Sequence, residues 1–358
     1  MLKKSLLTLI FLICTFQVNA NPLLGLPALK IPSDNPQTAT KIALGKRLFN
    51  DVRFSSTKTI SCASCHLAKR AFTDGQATAI GIKGLTGQRN APTLVNAAFL
   101  SSFFHDGRRS SLEAQSLDPL INPVEHGLSD YSSVLKLIQN DSAYSNAFLQ
   151  AFNILIETIS MGYVAKAIAS YERTLIAGNS PFDRYFFKAE RPVLTSSEAR
   201  GLRLFRRKAN CANCHEISWD HALFTDNRFY NIGIGSDSLR IVLPEFLSRL
   251  KTDRKEAISG LNSTQKSELG RFTVSRQIKD IGAYKTPTLR NIELTAPYMH
   301  DGSIATLEEV VDYYDKGGNK NQFLNPAIFP LHLTKQEKID LLAFMKTLTS
   351  PEFKTRTH

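Results

Sequence analysis

Apolar residues fall on helical spacing through much of this chain. Val164, Ile168, Tyr171 and Leu175 sit three to four positions apart, predicting one buried stripe of a helix that stops before Gly178. Thr195-Ser196-Ser197-Glu198 and the segment from Thr334 to Glu337 both have the form in which a hydroxyl and a carboxylate cap each other's backbone N–H groups. The second of these opens a final helix carrying Ile339, Leu342, Met345 and Leu348. Alternating strand patterns are scarce, so the expected fold class is mainly α. Ala177-Gly178-Asn179-Ser180-Pro181 reads as a linker between two halves. The mixed-charge stretch from Arg249 to Arg276 reads as a solvated helical insertion.

The halves repeat each other. Pro92-Thr93-Leu94-Val95-Asn96 recurs as Pro287-Thr288-Leu289-Arg290-Asn291. Thirteen residues after each proline stands His-Asp-Gly, at His105-Asp106-Gly107 and His300-Asp301-Gly302, and Leu-Glu follows at the same spacing in both. Leu44-Gly45-Lys46-Arg47-Leu48-Phe49 likewise parallels Arg200-Gly201-Leu202-Arg203-Leu204-Phe205. Shared spacing of this kind signals an internal duplication.

The N terminus carries Lys3-Lys4, an apolar run from Leu6 to Val18, and Val18-Asn19-Ala20 as a small-residue cleavage site. Residues 1–20 are therefore expected to be a removed signal peptide that sends the protein to the periplasm. The run is too short for a convincing membrane span, and no later segment qualifies. Cys14 leaves with the leader. Loss of Lys3 and Lys4 takes the formal charge from +12 to +10. A basic surface suits an acidic protein partner, and nucleic acid is not an expected one for an exported chain.

Each half has one Cys-x-x-Cys-His string, Cys62-Ala63-Ser64-Cys65-His66 and Cys211-Ala212-Asn213-Cys214-His215. This is the attachment signature of c-type haem, with the thiols bonded to the porphyrin and the histidine to its iron. Zinc pairs rarely each carry a His directly after the second Cys, and a thioredoxin-like dithiol wants a βαβ context that is lacking. Two c-type cytochrome domains follow, 21–178 and 179–358, each around one covalent haem.

Taken with Arg89-Asn90-Ala91-Pro92-Thr93, Phe104-His105-Asp106-Gly107-Arg108 and Pro297-Tyr298-Met299-His300-Asp301-Gly302, the motifs resemble those of the bacterial di-haem cytochrome c peroxidase/MauG family over nearly the whole mature chain. The resemblance implies a peroxide site at the N-terminal haem and electron transfer through the C-terminal one. Family peroxidases place a second His on the first iron in a Gly-His-Gly loop. Here the loop reads Ile80-Gly81-Ile82-Lys83-Gly84, which implies an open sixth position. His105 and His126 are the nearby alternatives as ligands. On the second iron, Tyr314 occupies the position that is Met in ordinary family peroxidases and Tyr in the MauG branch. Tyr313, Met299 and Met345 are its rivals. A phenolate stabilises oxidised iron, whereas Met raises the potential.

Glu125 and Gln115 match the distal acid–base and hydrogen-bonding residues of the family pattern, with Pro119 beside them. The second copy has Val310 and Lys320 at the Gln115 and Glu125 places. His105 stands where relatives carry a Trp between the haems, and this chain's only Trp is Trp219. The resemblance further implies a calcium ion held by the Asn90 side chain and the Thr295 and Pro297 carbonyls. The expected function is a periplasmic peroxidase acting on hydrogen peroxide. Its electrons would come from a small cytochrome c or cupredoxin, or from a side chain of a protein substrate. The competing reading is a non-catalytic di-haem electron carrier. Dimerisation, common among relatives, is left open by the sequence.

Overall fold

A computed structural model of the chain describes residues 23–354, so the expected signal peptide and its cleavage site lie outside the described residues. The N-terminal half holds α1 (Ala39–Asn50), α2 (Cys62–Cys65), α3 (Leu112–Ile121), α4 (Ser132–Gln139), α5 (Ser142–Phe152) and α6 (Met161–Glu172). Next come α7 (Pro181–Phe187), α8 (Ser196–Arg206) and β1 (Phe229–Tyr230). The insertion contributes α9 (Ser236–Arg240), α10 (Leu243–Leu250), α11 (Arg254–Ser259), α12 (Ser263–Glu268) and α13 (Phe272–Ser275). The chain closes with β2 (Tyr284–Lys285), α14 (Leu307–Asp315), α15 (Lys335–Lys346) and α16 (Pro351–Lys354). Among the described residues β1 and β2 form a two-stranded antiparallel ladder, in keeping with a mainly helical chain.

In each half the helix before the Cys-x-x-Cys-His motif packs against a later helix, α1 on α6 and α8 on α15. The crossings are close because each has a glycine at the contact. A Cβ on Gly45 would come 1.9 Å from the Ala167 carbonyl oxygen, and one on Gly201 would come 1.9 Å from that of Asp340. Helical glycine ordinarily costs about 0.5–1 kcal/mol relative to alanine, so its use here goes with the close approach. Thr38 and Thr195 cap α1 and α8 through their hydroxyls. One core gathers Leu48, Phe49, Ile138, Tyr144, Phe148 and Ile168. The other gathers Phe182, Phe205, Phe224, Phe344 and Leu348.

Several expectations shift in detail. Val164 and Ile168 are buried as predicted, but α6 ends at Glu172, so Leu175 packs from beyond it. In α15 the capping box is present, yet Ile339 faces outward and Leu341, Phe344 and Met345 face the core. The 177–181 segment is no exposed linker. Ala177 and Ser180 are buried, the Asn96 amide bonds both backbone groups of Ala177, and Ser180 caps α7. The Arg249–Arg276 stretch is helical, but its Leu261, Leu269 and Phe272 are buried in a small core shared with Leu239 and Phe246 just before it.

One buried ion pair reaches across the chain. Arg290 meets Asp183 with two contacts of 2.9 Å, both side chains essentially fully buried. The same guanidinium donates to the Ala222 carbonyl and, at 2.6 Å, to the Gly25 carbonyl. Gly25 also accepts from Ala222 N–H, while Leu24 pairs with Asn179 through both backbone groups. The first described residues are thus fastened onto the C-terminal half.

Candidate haem sites and the junction between them

The two motif histidines are held the same way. His66 Nδ1 lies 3.0 Å from the Phe72 carbonyl oxygen, and His215 Nδ1 lies 2.8 Å from that of Phe224. Both phenylalanines have left-handed backbones, which turn those carbonyls toward the rings. Thr93 and Thr288 hold the neighbouring carbonyls of Ala71 and Leu223. Nε2 of each imidazole is left for another partner. Burial pushes both imidazoles below their ordinary pKa, favouring the neutral form an iron takes. Cys62, Cys65, Cys211 and Cys214 are all unpaired thiols. This donor set fits one covalent haem per motif.

Around the first motif, Gln115 and Pro119 are one turn apart on α3, and Asn122 caps its end. Asn122 accepts from Val124 N–H at 2.9 Å, turns the chain, and donates its amide to Glu125 at 2.7 Å. Burial raises the Glu125 pKa, opposed by the Arg108 charge, and its charge is felt at both Cys62 and Cys65. The Asn122 turn thus brings Glu125 back toward the end of α3, where Pro119 lies one turn after Gln115. The Gln115 side chain has no hydrogen-bond partner among the described residues.

Ile82 is buried beside them. Its N–H bonds the Val124 carbonyl at 3.0 Å, and its side chain fills the space over Gly127. Each of the two nearby histidines has one ring nitrogen against a backbone carbonyl: His126 Nδ1 is 2.9 Å from the Phe54 carbonyl oxygen and His105 Nε2 is 3.0 Å from that of Asn90. Sequence reasoning missed Asn122 and Arg108; Asn-Pro after a helix was the available signal for the turn.

Around the second motif, the two tyrosines of α14 differ sharply. Tyr313 donates to the Ile232 carbonyl at 2.8 Å and accepts from Asn319 N–H. The Tyr314 hydroxyl has no hydrogen-bond partner among the described residues, and the ring is half-buried beside Cys211 and Cys214. Burial holds that phenol well above its ordinary pKa. Met345 is buried in the second core, with Met299 packed against it.

Between the halves lies a polar junction. Arg89 and Tyr284 each stand three residues before the repeated proline, and His105 and His300 each stand thirteen after it. Tyr284 stacks on His300 with centroids 3.6 Å apart. Its hydroxyl contacts Arg89 at 2.9 Å and Glu268 at 3.1 Å, and Glu268 also meets His300 Nε2 at 2.9 Å. Arg89 further bonds the Ser267 carbonyl. Asn90 N–H bonds the His300 carbonyl, and Lys285 N–H bonds that of His105. Burial drives the His105 pKa down to about 3, so its imidazole is neutral. Glu268 comes from α12 of the insertion, and no pattern in the sequence pointed to it.

The oxygens expected to hold calcium are free of hydrogen bonds. Asn90 donates its amide N–H to Gln76 at 2.7 Å, leaving Oδ1 without a partner, and neither the Thr295 nor the Pro297 carbonyl accepts a bond among the described residues. Neutral oxygens of this kind suit a hard cation. Among the described residues, no helix is long and apolar enough to cross a membrane.

Residues 39–191 match the family model described as di-haem cytochrome c peroxidase. The cytochrome-c peroxidase IdrP1 of Pseudomonas sp. (strain SCT) is 35% identical over 335 residues, covering 92% of this chain and 86% of that protein. The methylamine utilization protein MauG of Methylorubrum extorquens is 35% identical over 319 residues, covering 88% and 80%. A crystal structure of a MauG-like protein associated with microbial copper homeostasis superposes with a TM-score of 0.76 at 33% identity, covering 92% of this chain and 95% of that one.

Proposed function

Because this chain belongs to the di-haem cytochrome c peroxidase family, we propose that it is a periplasmic peroxidase with one c-type haem in each of two duplicated domains, 21–178 and 179–358. Hydrogen peroxide is reduced at the first haem, and electrons arrive through the second. The observation that carries this reading is the asymmetry of the two motifs. A half-buried carboxyl, held by Asn122 at 2.7 Å and raised in pKa, lies near the first, and a tyrosine whose hydroxyl has no partner among the described residues packs in the same core as Cys211 of the second.

When bound, the haems supply iron that binds peroxide and exchanges single electrons; the protein supplies the rest. Gln115, free of internal partners, holds peroxide by a hydrogen bond. Glu125 takes the proton from one peroxide oxygen and returns it to the departing one, a shuttle that works best when its pKa lies close to ambient pH. Pro119 has no N–H and adds an apolar wall. Ile82 fills the loop position from which relatives send a ligand, so peroxide meets no competitor. Tyr314 would hold the second haem's iron as a phenolate, since a hard anionic oxygen suits an oxidised metal. Asn90, Thr295 and Pro297 hold calcium at the junction.

The electron donor is a small cytochrome c or cupredoxin, or a side chain of a protein substrate, as in the MauG branch. Electron paramagnetic resonance of the ferric holoprotein tests the reading. One high-spin and one low-spin haem are expected. Two low-spin haems with no response to peroxide would establish the simple electron carrier instead. Turnover with peroxide and a reduced small cytochrome separates scavenging from protein modification.

A further inference from the structure

We propose that Tyr284 is a redox relay between the two haem-binding halves, releasing an electron and passing its phenolic proton to the Glu268 carboxylate. The inference rests on the peroxidase reading above, which supplies the oxidant.

Its place in the fold comes first. The Pro92 carbonyl lies against the His66 ring and the Pro287 carbonyl against the His215 ring. From Pro92 the chain runs back two residues to Asn90, whose N–H bonds the His300 carbonyl. His300 stacks on Tyr284, and three residues further on the chain reaches Pro287. A continuous bonded and stacked path thus joins the two motif histidines, and the Tyr284–His300 pair is its midpoint.

The chemistry comes second. The side chains that touch the Tyr284–His300 pair or flank it in the chain include Arg89, His105, Glu268 and Lys285; a second phenol, Tyr230, pairs with Tyr284 across β1 and β2 but donates to Asp226 at 2.7 Å, away from Glu268. Of these, only a phenol is readily oxidised by one electron, provided its proton can leave at the same time. His105 is a poor substitute, since its bonded ring nitrogen faces a backbone carbonyl, a very weak base. Trp219, the only indole, is 89% exposed and takes no part in the junction.

The proton route comes third. The Tyr284 hydroxyl has two acceptors at 3.1 Å, the Ser267 carbonyl and the Glu268 carboxylate; only the carboxylate is basic enough to take the proton, and it is steadied by His300 and Arg89. Glu268 also lines a cavity of about 390 Å³, shared with Gln88, Asp237, Thr264 and Asp301. Water there can exchange with the carboxyl.

The step balances. The Tyr284 O–H bond breaks, one electron leaves toward the first half, where oxidising equivalents from peroxide would accept it, and the proton forms a new O–H bond on Glu268. An electron from the second half then restores the phenolate oxygen, and the proton returns from Glu268. Nothing is consumed beyond the peroxide and donor electrons of the overall reaction.

The test uses the holoprotein with ring-deuterated tyrosine, freeze-quenched after one equivalent of hydrogen peroxide. Electron paramagnetic resonance should show a tyrosyl radical whose hyperfine lines narrow on deuteration. Tyr284→Phe should lose that signal, whereas Tyr163→Phe should keep it. The optical change at the second haem should slow by an order of magnitude or more in both Tyr284→Phe and Glu268→Gln, and its solvent deuterium effect should vanish in Tyr284→Phe. If Tyr284→Phe fails to take up both haems, Glu268→Gln carries the test, because it preserves shape and a hydrogen-bonding oxygen while removing the basic carboxylate and its charge beside Arg89. Unchanged radical and rate in either variant, with the wild type reacting normally, overturn the relay alone. A wild type inert to peroxide overturns the peroxidase reading and the relay with it.

Discussion

Asn122 should set the pH at which the peroxide site switches on. Its amide donates to Glu125 at 2.7 Å, a bond that favours the ionised carboxylate, whereas burial favours the neutral acid. Hydrogen bonds to charged groups contribute about 1.5–3 kcal/mol, and one pKa unit corresponds to about 1.4 kcal/mol. Asn122→Ala should therefore raise the Glu125 pKa further, by about one unit once water replaces part of the lost bond. Glu125 accepts the first proton, so it must be ionised in the free enzyme, and activity rises with pH through its pKa. The ascending limb of log kcat/KM against pH should move about one unit to higher pH in Asn122→Ala, with the plateau nearly kept. Glu125→Gln should abolish the limb and lower the plateau by about 100- to 10,000-fold. The assay is stopped-flow oxidation of a reduced small cytochrome across a pH series. A limb that survives in Glu125→Gln refutes the assignment, and one that moves to lower pH in Asn122→Ala refutes the role of Asn122.

Three further outcomes follow from the same geometry. Ile82→His should place an imidazole over the first iron, converting its high-spin resonance to low-spin and slowing the reaction with peroxide; an unchanged spectrum would show that the loop does not face the iron. Tyr314→Phe should alter the low-spin signal while Tyr313→Phe leaves it in place, because Tyr313 is already bonded to Ile232 and Asn319. Asp183→Ala strands a buried guanidinium and should cost about 3–5 kcal/mol in denaturant unfolding of the holoprotein; a loss below 1 kcal/mol, on the order of a surface ion pair, would contradict the buried pairing.

The parts of the site that lie close together in sequence were legible there. Each Cys-x-x-Cys-His string carries its own ligand. Helix starts at Thr195 and Thr334 were readable because capping is a contact across three residues. The burial of Ala177 and Ser180 was not readable, since Gly, Asn and Ser signal a turn whether it faces water or is bonded by Asn96. Ile339 has the spacing of a core residue, but the closeness of α8 at Gly201 fixes which face of α15 is covered. The junction was the least legible part. Arg89, Glu268, Tyr284 and His300 meet only when the insertion folds back, and a glutamate in a mixed-charge stretch looks like any surface glutamate.

The fastening of Gly25 to Arg290 changes where the chain can be divided. In sequence the border runs near Gly178, but in space the residues at 23–26 are part of the second half's own wall. A protease cut at the border would release a C-terminal fragment with the Arg290 guanidinium short of one acceptor and the Ala222 N–H short of its only one. Separately expressed halves should thus be poorer cytochromes than the uncut chain, and an N-terminal truncation past residue 25 should be felt beside His215 rather than beside His66.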